Sequence, residues 1–463
     1  MLQTHRTAWQ RPAGGVDWQE EVARFEAEYP DLDTLEVILP DSNGVLRGKW
    51  LPGSALRKVF ESGVALPFSL FGLDVWGREV EETGMHIETG DKDGVCWPVP
   101  GSLRAVPWAE RPTAQVLLSM HDRDGTAFMC DPRHVLARMA NRLGQHGLTA
   151  TAAFELEFYL FEDKDDGDWS SAPTPIFSTH LGPARQNMYA LSDLEALMPL
   201  VDEIRRSADA QDIPADAAVS EAAPGQFELN LHYQRDPLRA ADDAVLLRRL
   251  VAGVARKHNL KASFMAKPFV EWPGNGMHVH VSMEDGTGNI FADPETGETR
   301  LGYAIRGLLD TMPEAHLLFV STFNGFRRMQ PGSYAPTSIC WGYDNRSVAL
   351  RVPAGTPASA RIEHRIAGAD ANPYLVLTGV LAGMMQGVLG ELPPPPAVDG
   401  NAYEKTAPRL TPWMDEAIDA FAASQRMKDA VGEEMHKVLV DIKRHELFAF
   451  GREISSLERQ TYL

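Results

Sequence analysis

Two glutamates separated by one residue are the first candidates for chemistry in this sequence. Glu155 and Glu157 lie within residues 153–161, where aromatic and aliphatic side chains dominate and predict a β-strand. Successive side chains of a strand face opposite ways, so both carboxylates point to the same side, about 7 Å apart. Two carboxylates on an apolar strand are costly to bury unless a cation compensates them. The stretch therefore favours a metal site, with a solvated strand face as the alternative.

A second acidic pair surrounds a predicted turn. Glu221 and Glu228 stand on either side of Pro224 and Gly225, whose types favour a turn between two strands. A hairpin at this place would bring the two carboxylates together. Two surface glutamates on an ordinary hairpin remain the alternative.

Histidines follow a glycine-rich loop at residues 274–276. His278, His280 and Ser282 alternate with apolar residues, which places their side chains on one face of a predicted strand. A lone histidine is more often a packed core residue than a ligand. Two histidines sharing a face with a serine leave a functional site and a packed core both open.

Arginines accumulate in the same half of the chain. Residues 361–365 alternate, so that Arg361, Glu363 and Arg365 share one strand face. Four more arginines lie upstream, at Arg327, Arg328, Arg346 and Arg351. Arginines on sheet strands either protect an exposed edge or bind phosphate.

Taken together, five glutamates and one histidine make an oxygen-rich set of donors. Such a set suits Mg²⁺ or Mn²⁺ better than zinc. With the arginines, it predicts two or more divalent ions that neutralise a polyphosphate, and guanidinium groups on the transferred phosphoryl group. Residues 44–50 are one residue short of a P-loop, and residues 274–276 do not continue as a dinucleotide fingerprint. We therefore expect the nucleotide in an open groove of a sheet.

Composition limits the remaining possibilities. The chain has 463 residues, enough for a large core and two domains, and a formal charge of −20, which argues against nucleic acid or an anionic membrane as partner. The three cysteines are not spaced as metal ligands are, and we expect them to be reduced packing residues in a cytoplasmic protein. No apolar run is expected to reach the ~18 residues of a membrane span, and the N-terminus lacks a signal-like apolar core.

The elements that must position these residues indicate an α+β protein. A flexible arm is expected at 1–15, then a helix capped by Asp17, a hairpin over 34–52 and a strand at 113–120. Asp131 and Pro132 are typical of a helix start, so we place a domain boundary between 128 and 129. Further helices are predicted from Ser192 to about 211 and from 242 to 258, and a surface loop at 162–169. The domains are thus 16–128 and 129–463.

Several segments, in this order, resemble the glutamine synthetase superfamily: FELEFYLF, EAAPGQFELNL, KPFVEWPGNGMHVHVSM, NRSVALRVP and RIEHRIAGADANPYL. The similarity covers nearly the whole chain. It implies a small N-terminal β-grasp domain and a large catalytic domain built on an antiparallel sheet flanked by helices. It also implies a homo-oligomer of two stacked hexameric rings, with each site between neighbouring subunits.

The resemblance also assigns expected roles. Glu157, Glu221 and Glu228 match the ligands of one metal ion, and Glu155, His278 and Glu363 match those of a second. His280, Ser282 and Arg351 match nucleotide contacts. Catalytic or substrate-binding positions, which hold glutamate and the phosphates, are matched by Gly274, Arg328, Arg346, Arg351 and Arg365. The implied reaction phosphorylates the side-chain carboxylate of glutamate with ATP, after which an amine attacks the acyl phosphate.

Departures from the ammonia-using members point to a larger amine. Phe68 stands where their loop carries an aspartate for ammonium, Tyr334 replaces a glutamate that closes over the site, and Pro273 replaces an asparagine that contacts glutamate. Ammonium needs carboxylates, whereas Phe68 and Tyr334 suit a carbon chain. The sequence is most similar to the γ-glutamylputrescine (polyamine) synthetase branch. The alternatives are another amine such as ethanolamine or a monoamine, ammonia itself, and a catalytically silent relative.

Overall fold

The computed structural model describes residues 17–162, 176, 188–405 and 407–463. The arm predicted at 1–15 lies outside the described residues. So does the surface loop predicted at 162–169, apart from Glu162, which ends a strand.

The N-terminal part is a twisted sheet with two helices. The hairpin predicted at 34–52 is present, and Asp41 closes its turn by accepting hydrogen bonds from the backbone N–H groups of Asn43 and Val45. The sheet order is β2-β1-β6-β4-β3, with β5 beside β6, and the central β1 and β6 run parallel. This arrangement confirms the expected β-grasp domain. Its elements are α1 (Trp18–Glu28), β1 (Thr34–Pro40), β2 (Leu46–Pro52), α2 (Leu56–Ser62), β3 (Val64–Pro67), β4 (Asp93–Pro98), β5 (Arg104–Ala105) and β6 (Thr113–His121).

The larger part is a predominantly antiparallel sheet packed against helices, as expected. Its strand order is β13-β14-β15-β11-β7-β9-β8, with β10 beside β7 and β12 beside β11. The elements up to β12 are α3 (Pro132–Gln145), β7 (Thr149–Glu162), α4 (Leu191–Ala196), α5 (Met198–Ala210), β8 (Ala215–Ser220), β9 (Gln226–Leu231), α6 (Pro237–Lys257), β10 (Leu260–Ser263), β11 (Met277–Asp285) and β12 (Gly288–Asn289). They are followed by α7 (Gly297–Phe319), α8 (Phe323–Arg328), β13 (Trp341–Tyr343), β14 (Leu350–Val352), β15 (Ile362–His364), α9 (Pro373–Gly390), α10 (Met414–Ala423), α11 (Gln425–Val431), α12 (Glu433–Gly451) and α13 (Ser456–Tyr462).

The core of this part lies between one face of the sheet and the helices. Alternate residues of β7, including Phe154, Leu156 and Phe158, are buried there, so the intervening residues face the opposite side. The buried apolar face fixes the register of β7, since a slip of one residue would turn every side chain over. Glu155 and Glu157 are held on the open face for this reason.

Helix α9 corrects the expectation that no apolar run reaches the length of a membrane span. It has 18 residues with mean hydropathy 1.4, enough by length and composition, but 72% of it is buried inside the fold. It packs against α7 and α3 as a core helix. Its apolarity therefore reflects burial on all sides.

Two helix predictions were wrong in their bounds. The helix expected from Ser192 to 211 is two helices, because Pro199 in the first turn of α5 has no N–H with which to continue α4. Helix α6 begins five residues earlier than expected, where Asp236 caps it. The boundary predicted between 128 and 129 falls between β6 and α3 and stays a prediction.

Candidate active site

The open face of β7 carries both glutamates, and strand pairing brings their partners beside them. Glu155 lies opposite His278 of β11, and Glu157 lies opposite Glu228 of β9. On the far side of β11, His280 lies opposite Glu363 of β15. Four neighbouring strands therefore gather residues separated by more than 200 positions along the chain.

One group consists of Glu155, His278 and Glu363. Their ligand atoms lie within 4.8 Å of one another. His278 Nδ1 is 3.2 Å from Glu155 Oε2 and 3.8 Å from Glu363 Oε1. This is the triad that the sequence assigned to one metal ion.

Arginines surround the Glu363 side of this group. Arg351 Nη1 donates to Glu363 Oε2 at 2.8 Å, and Arg365 Nη1 donates to Glu363 Oε1. Burial alone would raise the pKa of Glu363, but Arg365, with His278, outweighs it and lowers the pKa to about 2. This end of the site thus carries its own positive charge.

A second group consists of Glu157, Glu228 and His278, again with ligand atoms within 4.8 Å of one another. The sequence had assigned Glu221 to this metal ion in place of His278. Glu221 follows β8 at the predicted turn, where its N–H bonds to the Gln226 carbonyl, and it is not part of the 4.8 Å group. The hairpin prediction is confirmed.

Among the described residues, no arginine or lysine forms an ion pair with Glu157 or Glu228. Burial, and then the charges of Glu155 and Glu157, raise the pKa of Glu228 to about 9. Burial and Glu157 raise the pKa of Glu221 to about 7. Carboxylates with raised pKa values are poorly stabilised as anions, and a bound cation would relieve this.

The donor set therefore fits divalent, oxygen-preferring cations better than zinc. Four carboxylates and one imidazole converge on one face of the sheet, and two distinct triads share His278. This agrees with the predicted class of cofactor.

His280 lies next to the first triad. Its Nε2 is 2.9 Å from Glu155 Oε1, and its Nδ1 accepts a hydrogen bond from Arg361 Nε at 3.1 Å. Because Nδ1 accepts, the ring proton of the neutral form is on Nε2, facing Glu155. Ser282 lies two residues further along β11 on the same face, and the nucleotide contacts expected of both residues stay predictions.

Arg328 is buried, and it lies on α8 rather than on a strand. Its Nη1 donates to the Ile366 carbonyl at 2.8 Å. The glycine-rich loop makes room for it, since a Cβ on Gly274 would lie 2.9 Å from Arg328 Cγ and one on Gly276 would lie 2.6 Å from its Nη2. Gly276 also donates its N–H to Glu157 Oε2 at 2.6 Å, so the loop connects Arg328 to the carboxylates.

Arg346 is exposed in the loop between β13 and β14 and lies close enough to Glu221 to lower its pKa against burial. Phe68 packs on Phe128 within the N-terminal domain, with ring centroids 4.4 Å apart. Tyr334 is 63% exposed on a loop after α8. Among the described contacts of this single chain, none joins Phe68 to Tyr334, so the shared amine pocket stays a prediction.

Sequence reasoning missed the residues that hold α8. Thr322 caps this helix and donates to the half-buried Asp370 at 2.7 Å. Asn324 bonds both backbone groups of Lys267, which fixes the segment between β10 and the glycine-rich loop. Small polar residues of this kind carry no spacing signal, and only the fold shows what they contact.

Comparison with known proteins agrees with this site. A family profile described as "Glutamine synthetase, catalytic domain" matches residues 129–462. The γ-glutamylputrescine synthetase of Escherichia coli (strain K12) is 40% identical over 96% of this chain and 94% of its own. The glutamate–isopropylamine ligase of a Pseudomonas species is 31% identical over 94% and 96%. The ligand-free structure of GmaS superposes with a TM-score of 0.80 at 25% identity, covering 95% of this chain and 99% of that one.

The chain therefore belongs to the glutamine synthetase family. Within it, the protein is an ATP-dependent glutamate–amine ligase.

Proposed function

We propose that the protein joins the γ-carboxylate of glutamate to one amino group of a diamine, putrescine being the leading candidate. The observation that supports this proposal is the convergence of four glutamates and His278 on one sheet face, in a sequence that carries Phe68 and Tyr334 where the resemblance implies acidic residues for ammonium. The two aromatic residues lie apart in a single chain: Tyr334 is exposed beside α8, and Phe68 lies in the N-terminal domain. The relative with 40% identity is named for putrescine, and relatives at 31% are named for isopropylamine and ethanolamide.

The reaction needs an activated carboxylate, because a free carboxylate is a poor electrophile. Glutamate Oε attacks the γ-phosphorus of ATP, the bond to the β-phosphate oxygen breaks, and ADP leaves. The amine then attacks the acyl carbon of γ-glutamyl phosphate, inorganic phosphate departs, and the nitrogen loses a proton. Divalent ions at the two triads would neutralise phosphate charge during the transfer.

The protein's own residues supply the remaining stabilisation. Arg328, buried behind the glycine-rich loop, would hold a carboxylate of glutamate. Arg346 is exposed in its loop and acts electrostatically on Glu221, and it would stabilise the transferred phosphoryl group. Arg351 and Arg365 hold Glu363 as an anion, which keeps the first triad ready for a cation.

Phe68 would complete the amine pocket from a neighbouring subunit. Within one chain, it packs in the N-terminal domain with no described contact to the Tyr334 loop. A ring in which the N-terminal domain of one subunit faces the catalytic sheet of the next would bring the two residues together. We extend the proposal to two stacked hexameric rings, to Mg²⁺ or Mn²⁺ as the ions, and to a cytoplasmic location.

A phosphate-release assay with ATP, glutamate and Mg²⁺ tests the function directly. Putrescine, ethanolamine, isopropylamine and ammonium are supplied one at a time, and the γ-glutamyl product is identified by mass. We expect putrescine to give the highest kcat/KM. Comparable turnover with ammonium alone would indicate a glutamine synthetase, and no release with any amine would indicate a silent relative.

A further inference from the structure

A segment near the end of the catalytic domain, separate from the catalytic motifs, contacts the loop that carries Tyr334. Residues 398–405 and 407–410 run beside residues 335–347. Leu410 N–H donates to the Thr337 carbonyl at 2.9 Å, and Ile339 N–H donates to the Pro408 carbonyl at 2.8 Å. We call residues 398–410, apart from the undescribed residue 406, the bracing segment.

The bracing segment also holds the loop that carries Arg346. Asn345 Nδ2 donates to the Gly400 carbonyl at 2.8 Å, and Ala402 N–H donates to Ser347 Oγ at 3.0 Å. Two loops that are expected to contact substrates are therefore fixed by one stretch of chain. Their relative position depends on it.

Tyr403 is the side chain by which this segment reaches the Tyr334 loop. Its hydroxyl donates to the Ala335 carbonyl at 2.9 Å. Ala335 is buried, whereas Tyr334 beside it is exposed and has a left-handed backbone with φ of 58°. A tyrosine in this conformation is uncommon and persists when neighbouring contacts hold it.

Tyr403 also lies beside the arginines of the site. Burial raises its pKa, and the positive charges of Arg328 and Arg365 oppose this. The hydroxyl is therefore protonated at neutral pH and remains a donor.

We propose that Tyr403 is a positioning residue for the amine, which acts by fixing Tyr334 through the Ala335 carbonyl. This inference rests on the proposed function, because it assumes that Tyr334 contacts the amine. Tyr403 itself does not touch the reacting atoms. Its loss should therefore affect amine binding more than glutamate or ATP binding.

The variant Tyr403→Phe removes one oxygen and keeps the ring. Loss of a single neutral hydrogen bond should raise the KM for putrescine by about 2- to 10-fold, with the KM for glutamate nearly unchanged. Tyr343→Phe is the matched control, because the Tyr343 hydroxyl donates to Glu298 instead and the residue lies on β13. The control should leave both KM values unchanged.

A double-mutant cycle separates positioning from a general structural effect. If Tyr403 acts through Tyr334, then Tyr403→Phe should have no further effect on the putrescine KM in a Tyr334→Ala background. Additive effects in the cycle, or equal rises in both KM values for Tyr403→Phe, would overturn the inference. Both KM values are measured below the melting temperature of every variant, so reduced stability does not obscure the result.

Failure of the proposed function has a different signature. If the wild-type enzyme releases no phosphate with putrescine, the function is wrong whatever Tyr403 does. If the wild type is active and Tyr334→Ala changes the putrescine KM but Tyr403→Phe does not, only the positioning role is wrong. If neither changes it, the amine pocket at Tyr334 and the role of Tyr403 are both wrong.

Discussion

The two ends of the carboxylate cluster differ in how their charge is balanced. At one end, Glu363 accepts hydrogen bonds from Arg351 and Arg365, and its pKa is lowered to about 2. At the other end, no arginine or lysine of the described residues pairs with Glu228, and burial and neighbouring carboxylates raise its pKa to about 9 against a hydrogen bond from Asn230. Both ends share one sheet face and one histidine, His278.

This difference indicates which part of the site is complete without a ligand. The Glu363 end is preorganised by the protein's own cations, so its geometry is fixed before substrates arrive. The Glu228 end is stable as an anionic group only when an external cation joins it. Burial at the Glu228 end therefore favours the binding of a cation there. At the other end, arginines stabilise Glu363 as an anion.

Removal of a ligand from the uncompensated end should have the largest effect on activity. We expect Glu157→Ala to lower kcat/KM by at least about 100-fold, because replacing even outer residues around a metal costs 10- to 100-fold. Circular dichroism should show an intact fold, since Glu157 is on the open face. Turnover close to that of the wild type would remove Glu157 from the ligand set.

Removal of a cation from the compensated end should instead affect stability. Arg365→Met leaves Glu363 buried without one of its partners, which should lower the free energy of unfolding by about 3–5 kcal/mol. Arg346→Met is the control, because Arg346 is exposed and its loss should cost less than about 0.5 kcal/mol. Denaturant unfolding measures both variants. Equal stability of the two would contradict the charge balance described for Glu363.

The uncompensated end should make the metal-free protein less stable as pH rises. The native pKa of Glu228, about 9, exceeds the unfolded value of 4.5, so the native state keeps a proton that the unfolded chain has lost. That stabilisation is complete below pH 4.5 and is lost as pH rises towards 9. With a chelator present, the melting temperature of Glu228→Gln should therefore fall less between pH 6 and pH 9 than that of the wild type. Glu284→Gln, on β11 outside the cluster, should behave like the wild type.

The smallest expected effect concerns the choice of amine. Tyr334→Glu places a carboxylate where ammonia-using relatives carry one, and should improve kcat/KM for ammonium relative to putrescine by about tenfold, the equivalent of about 1.4 kcal/mol for a new charge interaction. Tyr334→Gln is the uncharged control. An unchanged ratio would show that Tyr334 does not line the amine pocket.

Much of the site could be predicted because it depends on the alternation of polar and apolar residues along a strand. The alternation around Glu155 and around His278 was enough to place their side chains on one face, and the Pro-Gly turn was enough to fold Glu228 back. Strand pairing could not be predicted in this way. That His278 belongs to both close groups, and Glu221 to neither, depends on the register of β7 with β9 and β11. Arg328 on a helix and Tyr403 beside the Tyr334 loop depend on long-range packing that no local pattern encodes.

A titration of the protein with Mn²⁺ in a calorimeter, at pH 7.5 in two buffers of different ionisation enthalpy, tests the central claim most directly. The account predicts at least two ions per chain and net proton release, because Glu228 must lose its proton to become a ligand. Glu228→Gln should bind fewer ions and release fewer protons. Absence of saturable binding, or wild-type binding without proton release, would contradict the account.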